Sequence, residues 1–332
     1  MATQNVFIPT GFSLAELTAS INTLPHRPTL IGDSGIFEYD GVTTTSIEVE
    51  KQGSVLTLVP NSPRGTAGKP IGRRSRDLRS FVTGHLQLND AIRADEVLNV
   101  RLFGTENQLT PLQTKIMQIM KLGMDRLDYT LEYQRAGALK GIVYDYDGTT
   151  VLYNMFTEFG VAQSTANIAL SSTTTDVRTE CDKYGNTLDD ILGGVSYQGM
   201  TAWCGRTFWQ NLVGHKSVRE TYLNQSAALQ LQGKTGDTLE FGGITWRKYR
   251  GKANGSDMIG ATKAYVLPEG VPGMFLGRFA PGDWNDTVGT KGLPIYAKGK
   301  EDDEGKGWCI EMQSNPIHLC TRPDAVIELT AT

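Results

Sequence analysis

No apolar run in this sequence approaches the roughly 18 residues that a membrane-spanning helix needs. The first residues, Met1-Ala2-Thr3-Gln4-Asn5, also lack the charged and apolar regions of a signal peptide. These absences argue against a membrane protein and against a secreted one. We therefore expect synthesis in the cytoplasm and no association with a membrane.

Cysteine and histidine are scarce, with four of each in 332 residues. The cysteine spacings match no paired metal-ligand pattern, and a chain of this length needs no disulfide framework, so we expect buried free thiols. No two histidines have the helical spacing of metal ligands, so each is expected to be structural. We predict neither a metal nor a cofactor. The residues are Cys181, Cys204, Cys309 and Cys320, and His26, His85, His215 and His318.

Charge of one sign is not in large excess either, since the net charge is −4. The surface as a whole offers no electrostatic footprint for DNA phosphates, which argues against a conventional DNA-binding protein but not against a wall beside DNA. Hydrophobic residues make up 39% and charged residues 20%, proportions typical of globular proteins. The length fits two domains of about 150 residues or one large split domain.

Two short motifs look like catalytic or nucleotide-binding sequences but lack the partners those sites need. Gly32-Asp33-Ser34-Gly35 is like the surroundings of a trypsin-like nucleophile, yet only His26 precedes the serine, whereas that family's histidine lies far upstream. Gly233-Lys234-Thr235 ends like a phosphate-binding loop, but Ala228 stands where its first glycine should be. A tight turn explains the first motif. We predict no catalytic site and expect that the chain is not an enzyme.

The first 45 residues contain several prolines and glycines and one short helical pattern. That pattern runs from Leu14 to Leu24 and follows a capping box of Ser13 and Glu16. The rest is typical of an extended arm, which buries little on its own and makes sense mainly against another body.

A long basic loop follows. Residues 46–60 alternate around Gln52-Gly53 and predict a β-hairpin, and residues 80–82 and 85–88 predict more strand. Between them, residues 61–79 hold six Lys or Arg and one Asp. A loop near 20 residues tends to be functional or to be ordered by something outside its domain.

This loop has no aromatic residue to stack on bases, so a contact with a neighbouring subunit is favoured over a nucleic-acid contact. The acidic stretch that follows it is the complementary surface on another copy. The candidate contact residues are Arg64, Lys69, Arg73, Arg74, Arg76 and Arg79 in the loop, and Asp90, Asp95 and Glu96 in the acidic stretch.

The strongest local signal is a helix over about 110–140. Thr110 is its predicted N-cap, Pro111 takes the first helical position, and Gly141 ends it. Apolar residues recur at three- and four-residue steps and form one stripe. About 30 residues at roughly 1.5 Å each give a helix near 45 Å long, which could serve as a spine.

Further along the chain, Asp147-Gly148 predicts a hairpin turn between two short strands. Two more helices are predicted at about 174–192 and 207–222, followed by a hairpin around Gly242-Gly243 and a turn-rich stretch at 268–294. The acidic run at 301–304 is expected to be a solvated turn.

Several motifs, in their order and spacing across nearly the whole chain, resemble the phage major capsid protein E family, the lambda-type capsid proteins of tailed bacteriophages. None of them is a chemical signature. They are Gly32 to Phe37 (GDSGIF) with Gly41 to Thr45 (GVTTT), Val59 to Gly65 (VPNSPRG), Leu78 to Phe81 (LRSF) with His85-Leu86, Leu131 to Gly141 (LEYQRAGALKG), Val151 to Asn154 (VLYN), Gln313 to Pro316 (QSNP) and Cys320 to Pro323 (CTRP).

The resemblance implies an α+β fold of the Hong Kong 97 phage capsid type. On this sequence its parts would be an N-terminal arm at 1–45, an E-loop hairpin at 46–88, a peripheral domain at 89–169 with the spine helix at about 110–140, an axial domain at 170–300, and a return to the peripheral domain at 301–332.

It also implies a major capsid protein whose hexamers and pentamers form an icosahedral head in the virion. The head would enclose double-stranded DNA without sequence-specific binding, after assembly in the host bacterial cytoplasm. The chain carries no long charged helical extension, so a separate scaffolding protein is expected, with a portal and, in some relatives, a decoration protein as further partners.

Two alternatives stay open from the sequence. One is the shell of a bacterial nanocompartment, which has the same fold. The other, more remote, is a carbohydrate-active hydrolase with Trp246, Trp284 and Trp308 lining a sugar site.

Overall fold

A computed structural model describes residues 14–24, 29–52, 76–93, 109–225, 237–302 and 306–331 of the chain. This part contains six α-helices. The helices are α1 (Leu14–Thr23), α2 (Leu109–Lys140), α3 (Met155–Phe159), α4 (Val177–Leu192), α5 (Arg206–Gly214) and α6 (Lys216–Gln225).

The strands outnumber the helices and are short. They are β1 (Glu38–Gly41), β2 (Ser46–Gln52), β3 (Arg76–Val82), β4 (Leu86–Arg93), β5 (Ile142–Tyr144), β6 (Val151–Asn154), β7 (Ser164–Ile168), β8 (Gly199–Cys204), β9 (Thr238–Phe241), β10 (Ile244–Lys248), β11 (Lys252–Ala253), β12 (Ser256–Asp257), β13 (Lys263–Glu269), β14 (Phe275–Phe279), β15 (Tyr296–Glu301), β16 (Gly307–Ser314), β17 (Pro316–Cys320) and β18 (Ile327–Ala331).

Most strands belong to three sheets built from distant parts of the sequence. The largest has the order β7-β18-β13-β8-β10-β9, and the others have the orders β1-β14-β17 and β15-β16-β4. Three two-stranded pairs complete the list: β2-β3, β5-β6 and β11-β12. The pairs β1–β14, β8–β10 and β7–β18 are parallel, and the other pairs are antiparallel. The fold is therefore α+β, as predicted.

Helix α2 connects two hydrophobic clusters. Its first half buries Ile116, Met120 and Met124 in a cluster with α1 and the sheet β15-β16-β4. Its last turns bury Ala136 and Leu139 in the larger cluster around the six-stranded sheet. The helix spans 32 residues, or about 48 Å, which confirms the predicted long helix. It ends before Gly141, whose φ is +84°.

Several predicted boundaries need correction. The helix predicted at 174–192 begins at Val177, because the Asp176 side chain accepts a hydrogen bond from the backbone N–H of Arg178 and acts as N-cap. The helix predicted at 207–222 is two helices, α5 and α6, since His215 between them is extended (φ −64°, ψ 138°). The stretch at 268–294 is not all turn, because it contains strand β14.

The first strand of the hairpin predicted at 46–60 pairs with a segment further along the chain. Strand β2 pairs with β3, from Ser46↔Val82 to Gln52↔Arg76, so residues 76–79, predicted as the end of the basic loop, are strand. Residues 53–60, where the sequence suggested the second strand, lie outside the described residues, as do Asp303 and Glu304 of the acidic run. Glu301, expected in a solvated turn, is the last residue of β15. The turns at Asp147-Gly148 and Gly242-Gly243 join β5 to β6 and β9 to β10, as predicted.

The segment boundaries drawn from the resemblance stay a prediction. Residues 301–332, expected to return to the peripheral domain, contribute strands to three sheets. Strand β16 pairs with β4 and β15, whereas β18 lies between β7 and β13 in the six-stranded sheet.

Replacing Asn154 by Ala should lower the free energy of unfolding by about 1 kcal/mol, because the Asn154 side chain caps α3 by accepting a hydrogen bond from the backbone N–H of Thr157 at 3.3 Å. Urea denaturation of the purified chain measures the change. Asn154→Asp keeps an acceptor and should stay close to the wild type. Equal losses in both variants would contradict a capping role.

Candidate assembly surface

The structure describes only some of the predicted contact residues. Arg79 and Asp90 are exposed on β3 and β4, and Arg76 is placed by its backbone at the start of β3. The remaining predicted residues lie outside the described residues: Arg64, Lys69, Arg73, Arg74, Asp95 and Glu96. The interface that these nine residues would form therefore stays a prediction.

The hairpin of β2 and β3 has one buried face and one exposed face. Val49 and Phe81 are 7% and 4% exposed and belong to the larger hydrophobic cluster. The ring of Phe81 lies 5.9 Å from that of Phe159 and 6.3 Å from that of Tyr153, which fastens the hairpin to the body. On the opposite face of β3, two apolar side chains are exposed to solvent. Leu78 is 51% exposed and Val82 64% exposed.

Asp90 lies at an edge of the sheet β15-β16-β4. Its strand pairs with β16 on one side, with Asp90 opposite Ile310. The Asp90 carboxylate accepts a hydrogen bond from the backbone N–H of Ala91 at 2.9 Å. Ile92, two residues along β4 and therefore on the same face of the strand, is fully buried in the smaller hydrophobic cluster. Asp90 is exposed on that face.

A buried carboxylate on α2 holds the N-terminal segment. Glu132 is 6% exposed, and one oxygen accepts hydrogen bonds from the backbone N–H of Ile31 at 2.8 Å and from the hydroxyl of Tyr249 at 3.2 Å. Its other oxygen accepts from the backbone N–H of Gly32 at 3.1 Å and pairs with the Arg135 guanidinium at 3.5 Å. One side chain therefore joins the turn at 32–34, the long helix and the end of β10.

Several sequence-based interpretations can be placed on this structure. Gly32-Asp33-Ser34 forms a 3₁₀ turn, and the Ser34 hydroxyl donates to the carbonyl of Ile31, so the protease-like motif is the predicted turn. Gly233-Lys234-Thr235 lies outside the described residues. The cysteines are free thiols; Cys309 is half-buried and the other three are buried. Burial raises the pKa of the Cys181 thiol to about 12.

The tryptophans considered for a sugar site do not share an open cleft. Trp246 is fully buried in the larger cluster, and Trp308 is 9% exposed in the smaller one. Trp284 packs against Tyr296, with the ammonium of Lys298 5.8 Å from its ring centre. This arrangement gives the hydrolase alternative no support.

The cavities that open on the described surface include two of a few hundred Å³. One, of about 290 Å³, lies between the turn at 29–33, β1 and α2, and includes Tyr39 and Arg135 in its wall. The other, of about 390 Å³, lies where α5 meets α6, beside His215 and Arg219. In the described ranges, no three His, Cys, Asp or Glu side chains are grouped so that they could hold a metal ion. No helix there is long and apolar enough to cross a membrane.

Comparison with known families decides what kind of protein this is. The family described as phage major capsid protein E matches residues 13–331. The chain belongs to this family. It is a structural protein of the phage head, and the resemblance seen in its motifs is confirmed.

Two curated relatives extend over nearly the full length of this capsid protein. It is 24% identical to the major capsid protein of Salmonella phage Felix O1 (isolate Felix O1-VT1), with 96% of each chain covered. It is 25% identical to the major capsid protein of Pseudomonas phage KPP10, again with 96% of each chain covered.

The fold of this capsid protein is similar to that in the capsid structure of cyanophage P-SCSP1u. The TM-score is 0.54 at 13% identity, over 93% of this chain and 90% of the other. At that identity the likeness shows the fold alone, and it confirms the expected Hong Kong 97-like architecture.

Sequence reasoning missed the role of Glu132 in this capsid protein. The residue stood inside a family motif, but no contact could be assigned to it. A signal was nevertheless present, because Asp128, Glu132 and Arg135 follow one another at helical spacing beside the apolar stripe. In the structure all three are buried. Charged residues on the buried face of a helix indicate a polar contact with another element.

Proposed function

We propose that copies of this capsid protein assemble through hexamers and pentamers into an icosahedral head that encloses double-stranded DNA. The observation that carries the proposal is the β2–β3 hairpin, whose strands pair with each other and which exposes Leu78 and Val82. One face of the hairpin packs on the body, and exposed apolar residues on its other face are typical of a contact with another chain. The net charge of −4 supports enclosure of DNA without sequence-specific binding.

The division of the chain is part of the same proposal. The hairpin of β2 and β3 would belong to the E-loop, and α2 would be the spine helix of the peripheral domain. The proposed segments are the N-terminal arm at 1–45, the E-loop at 46–88, the peripheral domain at 89–169, the axial domain at 170–300 and the return segment at 301–332.

A shell of this kind needs partners beyond its own subunit. We propose a separate scaffolding protein and a portal, with a decoration protein as an optional addition. Assembly would take place in the host bacterial cytoplasm, and the mature protein would be found in the virion. Electron microscopy of purified particles tests the function: uniform shells containing DNA are expected, whereas shells that enclose an enzyme instead would support a nanocompartment.

Contacts between subunits would include an electrostatic one. Arg79 is exposed on β3 and Asp90 on β4, and these strands follow each other in the chain. We propose that in a ring of copies the arginine-bearing segment of one subunit faces the acidic segment of the next. Opposite charges across such an interface mainly set the partner and its orientation.

Reversing Arg73, Arg74 and Arg76 to Glu should lower the assembled fraction by about tenfold or more, because like charges would then face each other across every copy of the contact. Negative-stain microscopy and light scattering measure the assembled fraction. Circular dichroism and thermal denaturation of the unassembled chain should stay close to the wild type if these arginines act only between subunits.

A charge swap provides the matched control. Asp90→Lys, Asp95→Lys and Glu96→Lys should block assembly alone and restore part of it when combined with the three arginine reversals. Normal shells from the arginine variant would refute the electrostatic contact while leaving the shell function intact. A wild-type chain that stays monomeric with its scaffolding partner would refute the function itself.

A further inference from the structure

His318 occupies an unusual position beneath strand β1. It is 1% exposed and lies on β17 directly opposite Gly277 of β14. On the other side of β14, Tyr39 of β1 also lies opposite Gly277. A Cβ atom at Gly277 would fall 2.4 Å from the Tyr39 ring, so the missing side chain is what lets Tyr39 approach the imidazole.

Aromatic rings surround this imidazole. The ring centre of Phe37 lies 5.5 Å away, that of Tyr39 6.2 Å away and that of Phe279 6.4 Å away. All three are nearly perpendicular to the imidazole, at 81° to 89°. Two of the three rings belong to the N-terminal segment that carries β1, so the segment covers His318 like a lid.

The polar surroundings suit a neutral imidazole only. Its Nδ1 atom lies 3.4 Å from the side-chain oxygen of Gln134, and its Nε2 atom is buried with no hydrogen-bond partner in the described part of the chain. A protonated imidazole carries two N–H donors, of which one would remain buried and unsatisfied.

The charged groups that face His318 come from α2. The Arg135 guanidinium lies 5.5 Å from the centre of the Tyr39 ring and repels a second cation, while Glu132 is already paired with Arg135. From β1 the facing titratable group is Tyr39, and β14 presents Phe275, Gly277 and Phe279 on this side. Burial, then the charge on Arg135, holds the pKa of His318 well below its usual range.

We propose that His318 makes the seat of β1, meaning the packing of β1 and the turn at 32–34 against β14 and α2, sensitive to acid. A proton taken up by the imidazole then releases β1 and the turn from β14 and α2. Strand β1 can leave first because it is a four-residue edge strand and Tyr39 is already 42% exposed. The six-stranded sheet does not include β1 and can stay closed.

The direction of the pH effect follows from where the proton binds. In the closed seat the imidazole takes up a proton poorly. In the opened seat His318 is exposed to solvent, where a histidine has its ordinary pKa of about 6.5. Closure is therefore fully favoured above that pH and is lost as the pH falls below it. With one proton involved, the opening equilibrium rises by at most about tenfold per pH unit.

Hydrogen exchange of the full-length chain between pH 7.5 and 5.0, corrected for the intrinsic pH dependence of exchange, tests this proposal. Amides at 37–42 should lose protection below about pH 6.5, by up to about tenfold per unit. Amides of β8 and β13 should keep theirs. His318→Gln replaces the imidazole by an amide that does not titrate, so protection at 37–42 should become independent of pH.

His215→Gln is the matched control, because it removes another buried imidazole, located between α5 and α6. The profile at 37–42 should stay that of the wild type. A wild-type seat whose protection does not change with pH, or an equal loss in His318→Gln, would overturn the proposal. If His318→Gln does not fold, His318→Phe gives the same comparison, and the wild-type profile decides alone whether β1 opens before β8 and β13.

Discussion

Glu132→Ala should lower the free energy of unfolding by about 3–5 kcal/mol. The substitution leaves the guanidinium of Arg135, whose side chain is 10% exposed, without its carboxylate. It also removes the acceptor for the backbone N–H groups of Ile31 and Gly32 and for the hydroxyl of Tyr249. Because Ile31, Tyr249 and Arg135 are buried, solvent replaces few of their lost contacts. Urea denaturation of the unassembled chain, followed by tryptophan fluorescence, measures the effect.

Two further variants separate the effect of the lost charge on stability from that of replacing any glutamate. Glu132→Gln keeps one acceptor oxygen but removes the charge beside Arg135, so its loss should be smaller than that of the Ala variant. Glu158→Ala changes an exposed carboxylate on α3 and should alter stability by less than about 0.5 kcal/mol. A Glu132→Ala variant within about 1 kcal/mol of the wild type would mean that the N-terminal turn is held mainly by Ile31 in the core.

The features that local chemistry determines could be predicted from the sequence. Asp147-Gly148 specified the β5–β6 turn, and in the structure Gly148 has a φ of +71° while the Asp147 carboxylate accepts hydrogen bonds from Thr149 and Thr150. Those hydrogen bonds hold the pKa of Asp147 well below its usual range. Helix α2 was equally accessible, because its apolar stripe and the glycine that follows it lie within one continuous segment. The predicted N-cap was wrong, since the helix begins at Leu109 and Thr110 is its second residue.

Contacts between distant segments could not be predicted in the same way. Strand β1 pairs in parallel with β14, with Glu38 opposite Leu276, and nothing near Glu38 in the sequence specifies that partner. The alternation of Phe275, Gly277 and Phe279 was a strand signal inside a stretch whose glycines and prolines favoured turns. The surroundings of His318 form only where β1, β14 and β17 meet, so the sequence near His318 did not predict them.

Gly205→Ala should cost about 3 kcal/mol of folding free energy, although alanine tolerates the backbone angles at this position (φ −65°, ψ 165°). A Cβ atom there would lie 2.0 Å from the carbonyl oxygen of Gly260 and 2.7 Å from that of Ala261. Both atoms are backbone, and hydrogen bonds from Gly205 to Lys263 and from Phe208 to Ala261 hold the two segments together. The chain therefore cannot move aside without breaking the corner between β8 and α5. Urea denaturation and the yield of soluble chain measure the loss.

Gly199→Ala is the matched control at the other end of the same strand. No neighbouring atom lies within 4 Å of the Cβ position at Gly199, so the added methyl group meets open space. The variant should stay within about 0.5 kcal/mol of the wild type, because alanine also restricts the unfolded chain. Equal stability of the two variants would show that the loop at 260–261 yields easily. In that case the close backbone approach would not be what fixes α5 against the six-stranded sheet.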